Sequence, residues 1–98
     1  MPNGRERIET RAIRTQVEQS QHREHSAPLF LTSSFTFDDA EMGAALFAGE
    51  QQGNLYSRFS NPNTDEFARK LATLEGAEAG VATASGMNAV FTTFAALL

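Results

Sequence analysis

Apolar and polar positions recur along this chain with two different periods. In residues 6–18, Ile8, Ala12 and Thr15 share helical spacing, as do Ile13 and Val17. That spacing predicts a short helix over 6–18 with a weak apolar face. His22 to Ser26 is polar, and Pro28 blocks helix. The chain then turns apolar at Leu29, Phe30 and Leu31. Phe35 and Phe37 alternate with hydroxyl residues, which predicts a short extended piece. Asp38 is expected to cap a helix from Asp39 to about Ala48, with Asp39 and Glu41 complementing its dipole and Gly49 ending it.

Residues 50–61 show neither period and read as a loop. Asn61 is expected to cap the next helix, with Pro62 at the first helical position, where a missing N–H costs nothing. Phe67, Leu71 and Leu74 form its predicted core stripe. Asp65, Glu66, Arg69 and Lys70 are expected to face water, and Gly76 to stop the helix. Val81 to Ala84 reads as a short buried strand. Ser85 is expected to cap a last helix from about Gly86 onward, striped by Met87, Val90, Phe91, Phe94, Leu97 and Leu98. Loop, helix, strand, turn and helix are one piece of an α/β layer architecture. The residues alone therefore predict the beginning of a larger domain.

Composition narrows the function classes. The 98 residues carry a formal net charge of −4, which gives no general attraction for nucleic acid or an anionic membrane surface. There is no cysteine, which excludes a disulfide scaffold, a thiolate nucleophile and cysteine-ligated metal. The N-terminus lacks the apolar core of a signal peptide, so a cytoplasmic location is expected. After Glu78 the chain is uncharged to Leu98, but Thr83, Ser85, Gly86, Asn88, Thr92 and Thr93 interrupt that run. A strand, a turn and a helix explain it better than a membrane span.

Few residues offer chemistry. At Ser85-Gly86-Met87, a turn opens a helix whose first N–H groups lack partners, and glycine lets an anion come close to the backbone. Taken alone, it also reads as an ordinary capped turn. Tyr56 and Arg58 stand two apart on a loop, so a phenol and a guanidinium can meet one phosphate. Taken alone, they also read as surface residues. Asn61-Pro62 fixes where the helix begins, and so the geometry of the loop before it. His22 and His25 lack further metal ligands, and no metal site is expected. Asp38, Asp39, Asp65 and Glu66 fall at helix starts, where capping accounts for them. Lys70, the sole lysine, is expected to be a solvated surface residue.

In order and spacing, Tyr56-Ser57-Arg58, Asn61-Pro62, Leu74-Glu75-Gly76 and Ala84-Ser85-Gly86-Met87 resemble the N-terminal part of the Cys/Met metabolism enzymes that use pyridoxal 5′-phosphate. The resemblance runs from Thr10 onward and includes Pro28 to Phe35 and Leu46 to Glu50. It implies an N-terminal arm and the start of the fold type I (aspartate-aminotransferase-like) large domain, incomplete in this chain. Residues 1–61 would be the arm and cofactor-phosphate loop, and 62–98 the start of the cofactor-binding domain. It further implies that Tyr56 and Arg58 bind the cofactor phosphate of a neighbouring subunit, while Ser85, Gly86 and Met87 hold that of their own. The usual assembly would be a homotetramer of two active dimers acting on a small amino-acid substrate.

Phe35 to Glu41 and Tyr56 to Asn61 look most like the sulfhydrylases that convert O-succinylhomoserine and sulfide to homocysteine in methionine biosynthesis. O-acetylhomoserine as substrate, methionine γ-lyase, cystathionine γ-synthase or lyase, and a non-catalytic remnant docking on a full-length homologue are the alternatives. The family's aldimine lysine, pyridine-facing aspartate, stacking aromatic and carboxylate-binding arginine match nothing between residues 1 and 98. No catalytic residue is therefore assigned, Lys70 included, and this chain alone is expected to be inactive.

Overall fold

A computed structural model describes residues 6–98. They form four helices: α1 (Ile8–Arg14), α2 (Ala40–Ala48), α3 (Pro62–Glu75) and α4 (Gly86–Leu97). Val17–Thr64 make one compact unit. The other takes in Asp65–Leu98 together with residues 6–16.

In the Val17–Thr64 unit, α2 is defined by its caps. Asp39, in extended backbone, accepts the Met42 N–H at 2.7 Å. The cap is therefore Asp39 and not Asp38, whose own N–H instead reaches the Met42 sulfur at 3.3 Å. A carboxylate cap bonds the N–H three residues on, and Asp39 is the aspartate in register with Met42. Gly49 ends α2 as expected, in the left-handed region at φ 75°, where the Glu50 N–H returns to the Ala45 carbonyl at 2.9 Å. Gly43 is buried and leaves room for the Phe37 ring, from which an added Cβ would lie 2.7 Å. Leu46, 8% exposed, is the buried large apolar side chain of this unit.

The rest of the unit is irregular backbone held by polar groups. Ser34 and Tyr56 form an isolated antiparallel bridge. The Phe35 N–H bonds Leu55 O at 3.0 Å, and the Ser57 N–H bonds Ser33 O at 2.8 Å. The extended piece predicted near Phe35 is thus a single bridged pair. A tight turn at Ser20 places Arg23 at φ 58°. Glu24 closes it by accepting the Ser20 N–H at 2.8 Å and the Ser20 hydroxyl at 2.7 Å.

In the other unit, α1 is shorter than the predicted 6–18. Thr15 turns out of helical backbone and bonds the Arg11 carbonyl with both its N–H, at 3.1 Å, and its hydroxyl, at 2.6 Å. A β-branched residue whose hydroxyl bonds the carbonyl four residues back competes with the regular helix and ends a weak one. Thr15 is 2% exposed.

α3 ends at Gly76, φ 67°, with the Ala77 N–H on the Ala72 carbonyl at 2.8 Å. Its faces depart from expectation. Phe67 and Leu71 are 56% and 45% exposed. By contrast, Glu66 and Lys70 pair at 3.4 Å with side chains only 12% and 28% exposed, and the Arg69 Nε is buried. Lys70 is thus a half-buried ion-paired residue and not a solvated one. The wheel separates two stripes but does not say which is covered, and long charged side chains cover surface with their methylenes.

The strand predicted at Val81–Ala84 is not formed, and among the described residues there is no strand. A strand exists only when paired, and among the described residues no bridge involves Val81–Ala84. Gly80 runs close to α3, where a Cβ would lie 2.9 Å from the Ala68 carbonyl oxygen. Ser85 then caps α4 as predicted, accepting the Asn88 N–H at 3.1 Å. α4 buries none of its residues. Among the described residues no helix is long and apolar enough to cross a membrane.

Candidate functional site

The loop before α3 brings Tyr56 and Arg58 together. The Arg58 guanidinium lies 5.1 Å from the centre of the Tyr56 ring, a cation–π geometry. Phe59 meets the same ring edge-on at 6.4 Å. The turn is closed by the Phe59 N–H at 2.9 Å and the Ser60 N–H at 3.1 Å, both on the Tyr56 carbonyl. Tyr56 and Arg58 are both exposed. The pair therefore offers a phenol hydroxyl and a cation to solvent from one place.

What fixes that place is polar. Asn61, 7% exposed, accepts the Asn63 N–H at 2.9 Å and donates to the Phe30 carbonyl and to the Ser57 hydroxyl, each at 3.1 Å. Ser57 in turn donates to the Thr32 carbonyl. Asn63 accepts the Phe30 N–H at 2.7 Å and donates to the Pro28 carbonyl at 2.8 Å. Ser60 donates to Asn54 at 2.7 Å. The loop is thus stapled to residues 28–35 by side chains that the sequence reading had not singled out, Ser57 and Asn63 above all. One signal for Asn63 was available: an asparagine just inside a helix is a poor helix former and usually has a side-chain task.

Ser85, Gly86 and Met87 meet at the start of α4 in the other unit. The Ser85 hydroxyl is engaged by the Asn88 N–H. Among the described residues the N–H groups of Gly86 and Met87 make no hydrogen bond. Nothing lies within 4 Å of where a Gly86 side chain would begin, so the backbone there is open to a ligand. Two free amides at the positive end of a helix dipole attract an anion. Both places fit the phosphate end of pyridoxal 5′-phosphate. The aldehyde end has no counterpart in Lys70, whose amine is engaged by Glu66 on α3.

Comparison with known proteins gives the family. Residues 9–98 match the Cys/Met metabolism PLP-dependent enzymes. The O-succinylhomoserine sulfhydrylase of Pseudomonas aeruginosa is 48% identical over 83 residues, covering 85% of this chain and 21% of that protein. The L-methionine gamma-lyase of Pseudomonas putida is 52% identical over 71 residues, covering 72% of this chain and 18% of that one. A crystal structure from Campylobacter jejuni, described as an O-acetylhomoserine (thiol)-lyase with N′-pyridoxyl-lysine-5′-monophosphate, superposes with a TM-score of 0.81 at 36% identity. It covers 86% of this chain and 21% of that chain. The chain thus spans about a fifth of the length of the relatives it matches. With 90 consecutive positions matched and pyridoxal 5′-phosphate as the shared cofactor, the chain belongs to the Cys/Met metabolism PLP-dependent enzymes.

Proposed function

We propose that this chain supplies the N-terminal part of a sulfhydrylase that replaces the acyl group of O-succinylhomoserine, or of O-acetylhomoserine, with sulfide to give homocysteine. The observation that carries its part in the reaction is the Tyr56–Arg58 pair, held together on a stapled loop and open to solvent. When bound, pyridoxal 5′-phosphate supplies the electron sink for bond changes at the substrate's carbons. This chain's residues hold and orient the phosphate. Arg58 gives a charge-assisted hydrogen bond, worth about 1.5–3 kcal/mol, and Tyr56 a hydroxyl donor. Gly86 and Met87 give backbone N–H groups, with Ser85 beside them.

Tyr56 and Arg58 serve a neighbouring subunit's cofactor in this reading, and the α4 start serves the chain's own. That makes the working form a homo-oligomer, a dimer of active dimers in the cytoplasm. Residues 1–61 form the arm and phosphate loop, and residues 62–98 open the cofactor-binding domain. The 98-residue chain by itself lacks the lysine chemistry and is inactive.

The test is homocysteine release from O-succinylhomoserine and sulfide by an assembled enzyme containing this chain, run beside 2-oxobutyrate release from methionine. Sulfhydrylase activity is expected to dominate. The 52% identity to a methionine gamma-lyase supports a second reading, in which the elimination product dominates. Neither product, with stable docking on a full-length homologue, would make the chain a non-catalytic remnant.

A further inference from the structure

We infer that Asn61 is a positioning residue for the phosphate loop: through Ser57 it sets the side of the chain on which Tyr56 and Arg58 stand together. The inference rests on the proposed role of that pair. A buried polar side chain must have its groups satisfied, and Asn61, 7% exposed, divides its two ends between two tasks. Its carbonyl oxygen accepts the Asn63 N–H and starts α3. Its amide nitrogen starts nothing helical. It donates to the Phe30 carbonyl and to the Ser57 hydroxyl, each at 3.1 Å.

Ser57 is the residue between Tyr56 and Arg58. Its N–H is on the Ser33 carbonyl at 2.8 Å. Its hydroxyl donates to the Thr32 carbonyl while accepting from Asn61. The middle residue of the triplet is therefore fastened to residues 32–33 and to Asn61. Among the described residues its two neighbours make no side-chain hydrogen bond, and they lie within cation–π distance of each other. A hydroxyl that accepts from Asn61 must point its own proton elsewhere, and Thr32 receives it. The amide end of Asn61 thus fixes the Ser57 rotor, and Ser57 fixes the turn.

Asn61→Asp separates the two tasks. Aspartate is as good a helix cap as asparagine, but it cannot donate to Phe30 or to Ser57. In the 98-residue chain, Asn61→Asp is expected to keep the Asn63 amide protected from hydrogen exchange. It should speed exchange at Ser57 about ten-fold and abolish the nuclear Overhauser contact between the Arg58 side chain and the Tyr56 ring. Its affinity for inorganic phosphate, read by ³¹P NMR, should fall about five-fold, as expected for one lost hydrogen bond. Ser57→Ala is the second variant should Asn61→Asp not fold, and it should lose the same contact. Combined, the two changes should cost less than the sum of the two alone, because both remove the shared Asn61–Ser57 bond.

An unchanged Tyr56–Arg58 contact in both variants, or additive losses, would overturn the positioning role. Failure of the phosphate reading looks different. There the unaltered protein and Arg58→Ala would give the same phosphate titration, while the exchange and Overhauser results still decide the role of Asn61.

Discussion

The stretch from Pro28 to Asn63 and the stretch from Gly76 to Leu98 hold their shapes by opposite means. The first is mostly irregular, yet four of its side-chain hydrogen bonds link residues 25 to 35 positions apart. The second contains a well-formed helix, yet its side-chain hydrogen bonds span only two to four residues. The apolar stripe of α4 is exposed throughout, from 49% at Val90 to 78% at Leu97. Long-range polar links fix a loop's position against another segment. A cap fixes only where a helix starts and says nothing of where its apolar face goes. The loop is held in place within this chain, whereas the face of α4 is an apolar surface exposed along its length.

That contrast can be broken most directly at Leu46. If apolar packing matters in the Val17–Thr64 unit despite its polar staples, Leu46→Ala should cost about 2 kcal/mol, read as a lower urea midpoint. A change of only a few tenths would leave the staples as the sole support. Next in size is Arg58→Ala, which should weaken phosphate binding by about ten- to a hundred-fold if one charge-assisted bond is lost, measured by ³¹P titration; equal affinities would remove Arg58 from the site.

The caps sharpen the comparison. Asp39→Ala and Ser85→Ala should each cost about 1 kcal/mol of helix stability. The first should lower the exchange protection of α2. The second should fray α4 and lower ellipticity at 222 nm while leaving the loop's amides protected. Phe94→Ser is expected to change stability by less than about 0.5 kcal/mol, because the ring is already 59% exposed. A large loss there would mean that α4 has hidden support.

The smallest effect concerns pH. The backbone N–H and then the hydroxyl of Ser20 hold the Glu24 carboxyl below the usual glutamate range. The folded form is the more acidic one. The contribution is therefore present above the unfolded value and lost as pH falls through the folded one. Ser20→Ala removes only the hydroxyl, so it should move the Glu24 titration, followed by NMR, part of the way back toward the ordinary range while the backbone N–H still holds it down.

The parts of the fold that were legible in the sequence are those governed by a few neighbouring residues. Gly49, Gly76 and Ser85 act where their types require, and Asn61-Pro62 opens α3 as expected. Asp39 replaced Asp38 because two adjacent aspartates offer two registers, and only the folded backbone chooses. The burial of Glu66 and Lys70 and the unpaired state of Val81–Ala84 depend on what lies alongside, which periodicity does not encode. The site was legible as residue types at Tyr56, Arg58 and Ser85 to Met87. Its support was not, since the bonds of Asn63 to Pro28 and Phe30 cross more than thirty positions.

The guanidinium resting on the Tyr56 ring has an optical consequence. The chain holds one tyrosine and no tryptophan, so emission excited beyond the absorption of its phenylalanines originates at the ring that Arg58 touches. An anion that draws Arg58 away from that ring would change the surroundings of the protein's sole tyrosine. The loop therefore carries its own fluorescent gauge of occupancy, readable with no label attached.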